Sequence, residues 1–177
     1  MEELVFHGWD NFYLMIGSAA AALIGLLFVV ITLTSGLEKS RVMTANKIYM
    51  TPTVIHFGVV LTTSAVALAP RVPASAAAVL FGLSALIGLA NAVRACIGIR
   101  VGLPGQEPPH WTDFYFYGVL PAVVYLGLLA ASAALWALVE WAAYATALCL
   151  LALLLVGIRD AWDLITWIAP RQKAEGH

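Results

Sequence analysis

Long apolar runs separated by short polar ones limit the fold of this chain more than any other feature. Phe12 to Thr34 contains no charged residue, and between Gly118 and Ile158 the only formal charge is Glu140. A helix crossing about 30 Å of hydrocarbon needs about 20 mostly apolar residues. The second run is roughly twice that length, which predicts two spans folded back on each other around Leu138–Trp141. Backbone groups in hydrocarbon must bond within their own segment or around a closed barrel. Barrel strands would show about ten residues of alternating polarity, and no such pattern occurs. The spans are read as helices.

The sequence predicts an all-α polytopic bundle, a single integral membrane domain over 1–177, with five transmembrane helices over about 12–34, 51–69, 74–94, 117–137 and 141–169. Thr51 can cap the second helix while Pro52 occupies its first turn, where a missing N–H costs nothing. Pro70-Arg71-Val72-Pro73 is long enough only for a turn between antiparallel helices. The Gly- and Pro-containing stretch Val101 to Pro109 divides a three-helix part from a two-helix part. Pro170 is expected to end the last helix. Pro121, near the start of the fourth, is read as a helix-start proline.

Composition agrees. The chain is 62% hydrophobic and 11% charged, where soluble domains carry about 25% charged residues. A net charge of −1 offers no basic field for nucleic acid and excludes the charge-rich disordered class. Cys96 and Cys149 are too few for a disulfide framework or a four-ligand zinc site. The acidic start Met1-Glu2-Glu3 and the long first run do not resemble a cleavable signal.

Charge also orients the spans. With the N-terminus outside and the C-terminus in the cytoplasm, every Lys and Arg except Arg71 falls on the inner side. That asymmetry predicts a multi-pass protein of the inner (plasma) membrane. Trp9, Phe12 and Tyr13 are expected at one interface, and Trp111, Phe114, Tyr115 and Tyr117 at another. Trp141, Trp162 and Trp167 serve the last helix in the same way. Trp9-Asp10-Asn11-Phe12-Tyr13 echoes Trp111-Thr112-Asp113-Phe114-Tyr115. Unequal span numbers after the two copies favour independent anchors over an inverted repeat.

Lipid removes the hydrophobic drive between helices, so small residues that let backbones approach take over. Gly17, Ala21 and Gly25 recur at i, i+4, i+8, as do Ser84, Gly88 and Ala92. These stripes predict close helix packing, within the chain or with another copy or another membrane protein.

Polar groups enter the apolar runs at similar depth toward the inner face: His56, Asn91, Arg94, Arg159, Asp160 and Asp163. Two arginines against two aspartates sum to zero, which suggests an ion-pair lock between the third and fifth helices. The alternative is a polar or proton path, since His titrates near neutral pH and intramembrane charge often marks such routes.

No metalloprotease, Walker, dinucleotide or nucleophile-elbow motif is present. Asp160-x-x-Asp163 is the one paired-carboxylate motif, and two carboxylates on one helix can hold Mg²⁺ and a diphosphate, as in an intramembrane transferase. His56 lacks a second histidine at matching depth for heme. No cofactor or metal is expected. The leading expectation is a non-catalytic packing, assembly or interaction subunit that self-associates in the bilayer. A small ion or proton channel or transporter subunit comes second, and the transferase third.

Overall fold

The computed structural model describes residues 6–34, 51–101 and 114–175. Among these there are helices and no strands, and five helices are long and apolar enough to cross a membrane. They are α1 (Asp10–Thr34), α2 (Thr51–Leu68), α3 (Ala74–Val101), α4 (Leu120–Trp136) and α5 (Ala142–Glu175). A π-helical turn, Tyr115–Val119, leads into α4.

Glycine contacts set the register. A Cβ placed on Gly17 of α1 would lie 2.9 Å from the Ser64 Cβ of α2. One on Gly157 of α5 would lie 2.5 Å from the Phe57 ring of α2, and one on Gly127 of α4 would lie 3.2 Å from the Cys149 sulfur of α5. Gly118 approaches Cys96 in the same way across the α4–α3 seam. These pairs match early residues of one helix with late residues of the next, so α1/α2, α2/α5, α3/α4 and α4/α5 are antiparallel. Trp9 and Tyr144 stack at 4.9 Å, which sets the starts of α1 and α5 side by side. One end of the bundle thus gathers Trp9 and both tight turns, and is called here the hairpin end. The opposite end holds Thr51, Val101, Tyr115 and Arg159.

Both hairpin turns are closed by local chemistry. At the end of α4, Val139 N–H donates to the Ala134 carbonyl and Leu138 N–H to that of Leu135, both at 3.0 Å. This is the paired bonding of a Schellman cap, with Leu138 in the left-handed region at φ 56°. Val139 and Ala134 pack in one apolar cluster, the contact that usually accompanies such a cap. Arg71, at φ 60°, is likewise in the left-handed region in the turn between α2 and α3.

Three boundaries differ from the sequence reading. The third helix continues past Arg94 to Val101, because no proline intervenes and a single interior glycine, Gly98, is tolerated in a helix. The fifth runs through Pro170 to Glu175. A proline there removes the bond to the Thr166 carbonyl, which lies beyond the apolar part of the span (Ala142–Asp163), where water can satisfy it. Pro121 does sit in the first turn of α4, but the chain is already helical before it: Leu120 N–H bonds to the Tyr115 carbonyl, the π pattern.

Tyr13 and Tyr117 are only 1% and 4% exposed, so these two expected interface anchors are core residues instead. Tyr13 stacks edge-on against Phe6 at 5.6 Å, within an aromatic cluster that also takes in Trp9, Phe12, Phe81 and Tyr144. Trp111 lies outside the described residues.

Candidate functional site: a buried polar interior

α2 is the organising element. Its inward face carries Pro52, Thr53, His56, Phe57, Val60, Thr63 and Ser64, all buried, and three of the seven are Thr or Ser while a fourth is His. Spaced three or four residues apart, Thr53, His56, Val60 and Thr63 lie along one face of the helix and extend over about 15 Å at 1.5 Å per residue. Thr62, on the other side, donates back to the Gly58 carbonyl at 2.8 Å, the ordinary resolution for a hydroxyl in an apolar helix.

His56 is wholly buried. A 2.7 Å hydrogen bond joins its Nδ1 to the Tyr125 hydroxyl of α4, and the rings lie 5.6 Å apart. Whichever atom donates, His56 Nε2 has no hydrogen-bond partner among the described residues. Gly88 of α3 makes the pair possible, because a Cβ there would run into the Tyr125 ring. The sequence reading missed Tyr125. Its signal was a tyrosine midway along an apolar span, far from either headgroup layer.

Other buried polar atoms without a partner among the described residues are Tyr13 Oη, Thr63 Oγ1, Ser64 Oγ, Asn91 Nδ2, Thr146 Oγ1 and Asp160 Oδ2. They come from α1, α2, α3 and α5. Burying a polar group unpaired costs about 1–3 kcal/mol, and native interiors contain few.

Nearer the Arg159 end the charged residues separate. Arg159 pairs with Asp160 at 3.2 Å and with Asp163 at 2.9 Å. The Phe116 ring of the π turn lies under its guanidinium, 3.7 Å away, and Tyr117 lies 5.9 Å away. Arg94 takes no part: it is exposed on α3 and makes no ion pair among the described residues. The lock expected between the third and fifth helices is therefore not formed. α4 packs against both α3 and α5, and so keeps those two apart. Asn91 lies about one turn along α3 from Gly88, and no hydrogen bond joins it to His56 or Asp160 among the described residues.

The two small-residue stripes also part company. Gly88 and Ala92 are buried against neighbours and Ser84 is half-buried, whereas on α1 only Gly17 is buried. Ala21 and Gly25 are exposed, with nothing near the position a Gly25 Cβ would take. A shallow groove of about 290 Å³ between α3 and α4, bounded by Gly82, Ser132 and Trp136, opens outward and is separate from the polar interior.

No group of three or more His, Cys, Asp or Glu side chains able to hold a metal ion occurs among the described residues. No protein-family model matches the chain, and neither a curated protein nor a solved structure does.

Proposed function

We propose that this chain is a proton-handling channel or transporter subunit, working through the polar face of α2. One observation carries the reading: fully buried His56, held on one nitrogen by Tyr125, presents a second nitrogen without a partner along a line of buried hydroxyls. Histidine accepts and releases protons near neutral pH, and ionisable side chains inside membrane bundles typically serve relays. In this reading the Arg159 end faces the cytoplasm and the hairpin end faces outward, in the inner membrane. That orientation follows from the asymmetry of Lys and Arg.

A packing or assembly subunit is the second reading, and exposure of Ala21 and Gly25 on α1 favours it. Small residues on an open helix face let a second copy, or another membrane protein, approach closely. The transferase reading is weaker, because Arg159 already engages both Asp160 and Asp163.

The test uses the purified full chain in lipid vesicles holding a pH-sensitive dye, with a potassium potential applied. We expect the pH gradient to dissipate faster than in empty vesicles, and His56→Ala to remove most of that excess. Dissipation no faster than in empty vesicles, under potentials of either sign, overturns the reading.

A further inference from the structure

Around Arg159 the charges do not balance once Arg94 is taken away. One guanidinium faces two carboxyl groups, so with both ionised the cluster carries a net negative charge. α1, α2, α4 and the π turn offer no cation to compensate for it, since they contain no Lys or Arg at all. The ionisable groups these elements do contain are Asp10 and Tyr13 on α1, His56 on α2, Tyr115 and Tyr117 on the turn, and Tyr125 on α4. On α5 itself, besides Asp160, they are Tyr144, Cys149, Arg159, Asp163, Arg171, Lys173 and Glu175. Asp10 lies at the hairpin end, away from this cluster.

The two carboxyls are not equivalent. Asp163 makes the shorter contact with Arg159, 2.9 Å, and its side chain is 40% exposed, so water also solvates it. The Asp160 side chain is 0% exposed. Its Oδ1 lies 3.2 Å from Arg159, and its Oδ2 has no partner among the described residues. Phe116 occupies one face of the guanidinium, which directs the charge of Arg159 edgewise, where Asp163 is the nearer acceptor. Ionised carboxylates taken from water without a full set of partners are costly, and the cheapest remedy is to bind a proton. Asp160 also lies about one turn from Gly157, the residue against which Phe57 packs, and Phe57 adjoins His56.

We propose that Asp160 is a proton-binding site: its carboxylate takes one proton from water on the Arg159 side and returns it there or passes it inward, while Asp163 keeps its pairing with Arg159. The ligand is the bare proton rather than a hydrated cation. This deepens the proton-handling reading and rests on it for what the bound proton does.

The experiment uses the full chain in phosphatidylcholine vesicles treated with dicyclohexylcarbodiimide, a lipid-soluble reagent that adds to protonated carboxyls in apolar surroundings. Peptide mass spectrometry locates the adduct across a pH series. We expect the adduct on Asp160, lost as pH is raised, with Asp163 unlabelled. Asp160→Asn removes the adduct. Should that variant not fold, the pH series on the unmodified chain decides alone. Arg159→Gln, which takes away the counter-charge, moves the loss of labelling to higher pH. An adduct on Asp163 equal to that on Asp160, or none on Asp160 at any pH, overturns the proposal. Labelling of Asp160 in a chain that dissipates no gradient keeps the site and ends the path. A gradient dissipated without labelling does the reverse.

Discussion

α1 and α3 carry the same small-residue pattern, and the bundle uses them differently. On α3, Gly88 leaves space for the Tyr125 ring and Ala92 is completely buried, so the stripe becomes the seam with α4. On α1 the buried line runs instead through Tyr13, Ile16, Gly17, Ala20 and Leu27, and the stripe leaves the interior after its first member. Small residues at four-residue spacing permit close approach. What they meet is decided by the rotation of the helix about its axis, and on α1 that rotation turns Tyr13, Ile16 and Ala20 inward.

Substitution at the glycines turns this contrast into a graded series. Gly88→Ala is expected to do most harm, about 1–3 kcal/mol in thermal unfolding of the detergent-solubilised chain, because a methyl group must displace a fully buried ring. Adding Tyr125→Leu should restore most of that loss; no recovery would mean the ring is not what the methyl meets. Next comes Gly17→Ala, where the new Cβ meets Ser64 Cβ at 2.9 Å and the cost is about 1 kcal/mol. Ser64→Gly should relieve it and Ser64→Ala should not, since the obstacle is the Cβ itself. Tyr125→Phe keeps the ring over Gly88 but takes the hydroxyl from His56. Its expected cost of about 1 kcal/mol separates the polar part of the seam from its shape. Gly25→Leu closes the series with no loss of monomer stability, as nothing stands near that position. If it nevertheless lowers the cross-linking yield in native membranes, a second chain docks there and the assembly reading gains.

The number of helices and the positions of both hairpin turns were legible because length and charge encode them directly. Leu138–Trp141 and Pro70–Pro73 interrupt runs that would otherwise be too long for one crossing or contain two prolines. Helix rotation was not legible. On α3 apolar and polar residues are not segregated to separate faces, so no amphipathic stripe says which side turns inward. Arg94 could therefore be counted with Asp160 and Asp163 by depth, although it is exposed and makes no ion pair with them. The same blindness hid Tyr125, whose partner is 69 residues away along the chain. Of the anticipated polar set, Arg159, Asp160 and Asp163 do come together: Arg159 and Asp163 share one helical face at four-residue spacing, and the long Arg159 side chain also reaches adjacent Asp160.

Pro121 gives the entrance of α4 a mechanical property of its own. Lacking an N–H, it can bond neither the Phe116 carbonyl in the π pattern nor the Tyr117 carbonyl in the α pattern, so exchanging one winding for the other forfeits nothing at that rung. A one-residue slip turns the preceding segment through about 100°. Phe116 would then swing off the Arg159 guanidinium like a catch released from its keeper, while the rest of α4 stayed where it is.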